Sequence, residues 1–194
     1  FVTSSNCCTG AICTGLGVAP QHIQGALGVV KAYTTRVGNG PFVTELQNET
    51  GQKLAKQGAE FGSTTGRPRR CGWFDAVIAK YAARINGLSS MALTKLDVFN
   101  GFETIKMCTA YEIDGKKVTN FPTDIAQLEK AKPVYETFNG WWDDISKITD
   151  FEKLPENAKK YIARIEQITG VSVSILSVGP SRDQTMILKP ELLL

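Results

Sequence analysis

The chain has 194 residues, 42% of them hydrophobic, with 22 Lys and Arg against 19 Asp and Glu for a formal charge of +3. That balance suits a globular protein with one substantial core or two small ones and gives no electrostatic reason to expect a nucleic-acid partner. No apolar run is long enough to span a bilayer, no basic region followed by a hydrophobic signal segment opens the chain, and five cysteines lack zinc-ribbon or disulfide-framework spacing; the expectation is a reduced cytoplasmic protein with no membrane partner.

Residues 1–17 are rich in Gly, Ser, Thr and Cys and open on what reads as a strand end. Thr3, Ser4 and Ser5 carry hydroxyls suited to a phosphate or a ribose, but small residues serve turns and close packing equally, and the residues alone favour packing. Residues 20–34 read as a helix, with Ile23, Ala26, Leu27, Val30 and Ala32 forming an uneven apolar face. His22, the only histidine, lies near its start as a surface or packing residue. A polar loop follows at residues 34–38, Asn39-Gly40 gives a turn signal before Pro41, and residues 43–57 contain a helix softened at Gly51 and ended by Gly58.

Residues 61–73, FGSTTGRPRRCGW, combine a glycine-bearing backbone with hydroxyl donors and the guanidinium groups of Arg67, Arg69 and Arg70. Pro68 fixes its own φ and biases Arg67 toward extended backbone, so the arginines are directed at different partners. Arginine is the side chain best suited to bidentate contacts with carboxylate or phosphate, and the spacing leaves both an anion-binding loop and a solvated basic turn open. Residues 74–86 then show a helical period, with Phe74, Val77, Ile78, Tyr81, Ala82 and Ile85 on the buried side, Asp75, Lys80 and Arg84 on the wetter one, and Gly87 as the stop.

Residues 90–93 read as a short buried strand with Thr94-Lys95-Leu96-Asp97 at its carboxyl end, the edge where open α/β sheets place ligands. A carboxylate at Asp97 accepts two parallel hydrogen bonds, which matches the N1 hydrogen and exocyclic amine of guanine rather than the pattern of adenine. The Lys95 stem suits a purine face while its ammonium stays wet, and a solvated strand end is the other reading of the same residues. Residues 104–113 read as a strand, Asp114-Gly115 as the turn and residues 117–121 as its return. A short helix around residues 124–131 and an extended stretch at 134–138 follow, closed by Asn139-Gly140-Trp141-Trp142, whose adjacent indoles cover a hydrophobic edge. Leu154-Pro155 prepares a helix over residues 156–169 that turns Ala158, Tyr161, Ile162, Ile165 and Ile168 inward. Residues 171–178 read as a β-branched strand ending in Gly179-Pro180-Ser181-Arg182, with a short return at 185–188, so that Ser177 and Gly179 reach the same edge of a parallel sheet as Asp97.

TTGRPRRCGW at residues 64–73 resembles the aspartate-binding loop of the adenylosuccinate synthetase family. FVTSSNCCTGAICTGLG at the start, YTTRVGNGPFVTE at residues 33–45, LTKLDVFNGFE at 93–103 and SVGPSRDQTMIL at 177–188 agree with the same family in order. The resemblance implies an α/β fold: the C-terminal part of a mainly parallel sheet of the phosphate-loop NTPase-like class, with a β-hairpin extension. Its approximate subregions are 1–73 with the IMP and aspartate loops, 74–103 for guanine recognition, 104–153 as hairpin and linker, and 154–194 as a final helix-strand unit. The implied activity is GTP-dependent ligation of IMP and L-aspartate to adenylosuccinate, with GDP and phosphate as products, in de novo AMP synthesis by a magnesium-using homodimer. GTP first phosphorylates O6 of IMP, and the aspartate amine then attacks C6 and expels phosphate. IMP contacts are implied at Thr3 and Val37, and substrate contacts at Ser63, Thr64, Thr65, Gly66, Arg67 and Arg69, with Arg67 near the aspartate carboxylate and IMP and Arg69 near the GTP end. Lys95, Leu96, Asp97, Ser177, Val178 and Gly179 are implied to hold guanine.

Members of the family open with a glycine-rich phosphate loop of GDEGKGK type, whose Asp is the base, followed by a His acting as the acid. No such loop occurs in this sequence, and His22 does not sit in that motif. The expectation is therefore a C-terminal portion of a longer polypeptide that lacks the phosphate loop, inactive by itself, with base, acid and magnesium ligands outside the span. A non-catalytic guanine-nucleotide-binding or structural module is the alternative. The Arg loop and Thr3 separate the two, because a guanine sensor needs neither an aspartate clamp nor an IMP contact.

Overall fold

Short apolar strands alternate with capped helices along the chain, and the computed structural model describes them over residues 6–62, 64 and 66–193. In chain order they are α1 (Ala11–Leu16), β1 (Leu27–Lys31), β2 (Thr34–Arg36), α2 (Glu49–Gln57), β3 (Arg70–Gly72), β4 (Phe74–Asp75), α3 (Ala76–Asn86), β5 (Ser90–Thr94), β6 (Phe102–Ile113), β7 (Lys116–Val118), α4 (Ile125–Lys130), β8 (Lys132–Trp141), α5 (Glu156–Thr169), β9 (Val173–Ser177) and β10 (Thr185–Ile187). One sheet runs in the order β1-β5-β9-β10, its first three strands parallel and β10 antiparallel to β9. A second is organised on β6, which pairs antiparallel with β7 and β8 and parallel with the short β4, while β2 and β3 form a separate antiparallel ribbon. The architecture is α/β with mixed sheets: the parallel pairing expected from the sequence joins β1, β5 and β9, while β10 and the sheet on β6 are mainly antiparallel. No helix among the described residues is long and apolar enough to cross a membrane.

Local chemistry explains where the helices begin and end. The Asp75 carboxylate caps α3, Oδ1 accepting from the amides of Val77 and Ile78 at 3.1 Å each, and Gly87 stops the helix in the left-handed region at φ 56°. Asp75 is not the wet residue that the helical period predicts. It is 3% exposed, because its second oxygen accepts from the Tyr111 hydroxyl at 2.7 Å, a partner that periodicity within one helix does not reveal. On the same helix Ile78 and Ile85, expected on the buried side, are exposed. Helix α5 matches its predicted span and buries Ala158, Tyr161, Ile162 and Ile165.

Residues 20–34 are not a helix. A single 3-10 turn at Pro20–His22 precedes β1, which pairs in parallel with β5 from Leu27 opposite Ser90 to Lys31 opposite Thr94. Gly25 and Gly28 each weaken a helix by about 1 kcal/mol relative to Ala, whereas Val29-Val30 suit a strand, and pairing with β5 decides the outcome. The two Trp also part company: Trp141 is buried in the core while Trp142 is 75% exposed.

The core gathers around Phe99, whose ring meets those of Tyr33, Trp73, Phe102, Trp141 and Tyr161 with centroids 5.6–6.2 Å apart. Phe99 lies two residues beyond Asp97, so aromatic packing fixes the turn that leaves β5. Parallel pairing of β5 with β9, Leu93 opposite Leu176, then delivers Thr94 and Ser177 to one carboxyl edge.

Gly51 does not soften α2 as the sequence suggests but sits in its first turn, donating its amide to the Asn48 side-chain oxygen at 3.2 Å. A Cβ there would stand 1.9 Å from the Leu46 carbonyl oxygen. Gly51→Ala is therefore expected to destabilise the protein by about 1–3 kcal/mol, the scale of an overpacked contact, although alanine is the better helix former. Urea unfolding of the two proteins measures this, and a variant as stable as wild type contradicts the close approach.

Candidate functional site

The turn after β5 is built from the inside. Leu96, Val98 and Phe99 are buried, and Lys95 takes left-handed backbone at φ 62°, which turns the chain sharply at the sheet edge. Asp97 is held between these anchors. Burial pushes its carboxyl above the usual range, with the Lys95 ammonium opposing, and its buried Oδ1 has no hydrogen-bond partner among the described residues. Beside it at the end of β9, the Ser177 hydroxyl donates to the Gly179 carbonyl at 2.8 Å and the Val178 amide donates to the Gln184 carbonyl at 2.9 Å. The structure thus brings Lys95, Asp97, Ser177 and Gly179 to neighbouring strand ends. The side chains of Leu96 and Val178 are fully buried, so of these two residues only the backbone remains to meet a ligand.

The arginine loop has a fixed base and an exposed tip. Phe61 and Pro68 form an antiparallel bridge, the Gly62 amide donates to the Arg67 carbonyl at 2.8 Å, and the Gly66 amide donates to the Gly62 carbonyl at 2.7 Å with Gly66 at φ 63°. Thr64, Gly66 and Arg67 are exposed there, and Val37 is exposed on its own loop. Thr3, Ser63 and Thr65 lie outside the described residues. Arg70 forms a bidentate pair with Glu45, at 2.7 and 2.6 Å, and donates to the carbonyls of Gly38 at 3.1 Å and Gly40 at 3.0 Å. It ties the base of the arginine loop to the loop that carries Val37. Arg69 turns the other way and meets Glu60 at 2.8 Å.

Glu60 was not singled out by the sequence. Its side chain is fully buried: Oε1 accepts from the Lys31 ammonium at 2.8 Å and from the Tyr33 hydroxyl at 2.5 Å, and Oε2 accepts from Arg69. The Lys95 ammonium stands 3.5 Å from Oε1 and donates to the Gly58 carbonyl at 2.5 Å, so this half-exposed side chain is also tied inward. Burial raises the Glu60 carboxyl, but hydrogen bonds from Lys31, Tyr33 and Arg69 outweigh it and hold the group at about 2. A lone acid one residue ahead of a cationic loop was the available signal, and nothing local distinguishes such an acid from a solvated one. Among the described residues no group of three or more His, Cys, Asp or Glu side chains could hold a metal ion.

The adenylosuccinate synthetase family model matches residues 1–186. The chain is 58% identical over 187 residues to the adenylosuccinate synthetase of Clostridioides difficile, a match covering 96% of the chain and 44% of the relative. Against that of Geobacter sulfurreducens it is 56% identical over 188 residues, covering 97% of the chain and 43% of the relative. A structure of fully ligated adenylosuccinate synthetase from Plasmodium falciparum superposes with a TM-score of 0.92 at 43% identity, over 95% of this chain and 45% of that one. The chain thus spans under half the length of the curated relatives it matches. The family match runs through nearly the whole chain, and this corrects its description as a C-terminal portion and fragment defined by a lost phosphate loop.

The depressed Glu60 carboxyl sets a pH dependence. A group lowered from 4.5 to about 2 on folding contributes stability that is fully present above pH 4.5 and is lost as pH falls through 2. Glu60→Gln is expected to be less stable than wild type at neutral pH, with the gap narrowing progressively below about pH 4.5. Denaturant midpoints of both proteins across that range test this, and a gap independent of pH contradicts it.

Proposed function

The chain belongs to the adenylosuccinate synthetase family, and on that footing we propose that the protein carries out GTP-dependent ligation of IMP and L-aspartate to adenylosuccinate, releasing GDP and phosphate. The observation that carries this reading for these residues is the half-buried Asp97 carboxylate, whose buried Oδ1 lacks a donor among the described residues, placed at the carboxyl end of a parallel strand. A buried carboxylate oxygen without a donor is costly, and the adjacent N–H donors of guanine suit it. Ser177 and Gly179 close the pocket from β9. We read the sheet of β1, β5 and β9 as belonging to the phosphate-loop NTPase-like class, residues 1–73 as the IMP and aspartate region, 74–103 as the guanine unit, 104–153 as hairpin and linker, and 154–194 as the final helix-strand unit.

In this reading GTP transfers its γ-phosphoryl group to O6 of IMP. The aspartate amine then bonds to C6 as the C6–O6 bond breaks and phosphate leaves. Arg67 binds an aspartate carboxylate, Arg69 lies toward the GTP end, Val37 lines the IMP ribose, and Thr3, Ser63, Thr64, Thr65 and Gly66 complete the substrate loops. Such preorganised donors stabilise charge that develops on the phosphoryl and leaving-group oxygens. Magnesium belongs to the reading, yet the described residues offer no ligand set for it and no step is derived through it. A cytoplasmic homodimer is the assembly proposed.

Asp97→Asn is expected to lower kcat/KM for GTP by about 1–3 kcal/mol, the scale of one poorly satisfied bidentate contact, and to improve the relative use of xanthosine triphosphate. Unchanged kcat/KM for GTP removes Asp97 from the guanine site. Arg67→Lys keeps the charge but loses the planar fork, so KM for aspartate should rise more than KM for GTP while kcat falls. Varying each substrate with the others saturating separates the cases: little change in either series means a solvated turn, and a larger defect in the GTP series means a phosphate-directed side chain.

A further inference from the structure

We propose that Glu60 is a positioning residue that couples the guanine end of the site to its aspartate end, an inference that rests on the ligase reading above. One fully buried carboxylate holds Arg69 of the arginine loop at 2.8 Å and Lys31 at the end of β1 at 2.8 Å, with Lys95 of the guanine turn at 3.5 Å. Its backbone carbonyl also accepts from the Arg69 amide at 2.8 Å, so the base of the arginine loop is held twice. Lys31 passes the connection on, donating at 3.0 Å to Thr35 on β2, the strand that leads into the loop carrying Val37. The arginine loop and the guanine turn therefore meet at one side chain directly, and the Val37 loop meets it through Lys31.

The buried Asp75 carboxylate, which caps a helix, is held by two backbone amides and the Tyr111 hydroxyl. Three cations surround Glu60 instead, and even with Asp97 counted positive charge exceeds negative, which suits the phosphates and carboxylates that the reaction brings together. Arg69 spends one nitrogen of its fork on Glu60 and keeps the others to present. Lys95, held at its ammonium by Glu60 and Gly58, has its stem fixed where it would lie along a purine. Removal of the charge at Glu60 takes an ionic partner from both at once, so the two ends of the site should loosen together.

The test uses Glu60→Gln, which keeps the shape and removes the charge, in the protein that carries this chain. Initial rates with aspartate varied and with GTP varied should show both KM values raised about tenfold, the scale of one charge-assisted hydrogen bond, with a fall in kcat. GDP binding without turnover should weaken by a similar factor. Both KM values within twofold of wild type, with only Tm lowered, make Glu60 a structural residue and overturn the proposal; so does a rise confined to one substrate. Should Glu60→Gln fail to fold, Lys31→Met removes one of its partners and should raise both KM values about threefold, and an unchanged pair overturns the coupling. A wild-type protein that neither turns over nor binds GDP overturns the ligase reading and this inference with it, whereas an active wild type with an unaltered variant overturns the positioning role alone.

Discussion

A carboxylate shut away from water must be hydrogen-bonded or paired with cations, and at Glu60 the cations that meet this requirement draw separate stretches of chain to one point. The group is delivered by a sharp reversal after α2. Gly58 ends the helix, Ala59 takes a positive φ of 48°, and the Glu60 amide donates back to the Ala55 carbonyl at 2.8 Å. A left-handed alanine costs on the order of 1 kcal/mol, and it persists because the buried pairs formed by the next residue hold it there. The cations then follow: Lys31 from the end of β1, Arg69 from the arginine loop, Lys95 from the turn after β5. Satisfying one group orients three loops.

Two kinds of anchor thus meet at the sheet edge. The turn at Asp97 is set from below by apolar packing, through Leu96, Val98 and the aromatic cluster on Phe99, and such packing admits little displacement because interiors are close-packed. The arginine loop runs into the core at Cys71 and Trp73, but its arginines are set by charge, through Arg69 to Glu60 and Arg70 to Glu45. Lys95 belongs to both systems, since its backbone is fixed by the packed turn and its ammonium by the charged cluster.

What the sequence made legible follows the same division. Helix α5, the strand β5 and the hairpin turn at Asp114-Gly115 carry their signals locally, in apolar period and turn residues, and each lies where it was expected. Strand β1 has a helix-like apolar pattern because five residues at the end of a sheet take their identity from the partner β5, about 60 residues away. The helical period puts Asp75 on the wrong face for a related reason, as its burial depends on Tyr111. Arg67, Arg69, Lys95 and Asp97 stood out by residue type and resemblance, whereas Glu60 is defined by what surrounds it.

The division between base and tip also bears on how the loop would act. Arg69 and Arg70 are committed to buried or half-buried carboxylates before any ligand arrives, so their orientation requires no reorganisation when charge develops nearby. Thr64, Gly66 and Arg67 stand at the exposed end of the same loop, carried on the bridge between Phe61 and Pro68. A ligand that engages the tip meets a scaffold already aimed, and the entropy of fixing the base has been met in folding rather than in binding. Glu60 lies at the root of that base beside the Arg70–Glu45 pair, and under the positioning proposal its charge contributes to alignment at the tip.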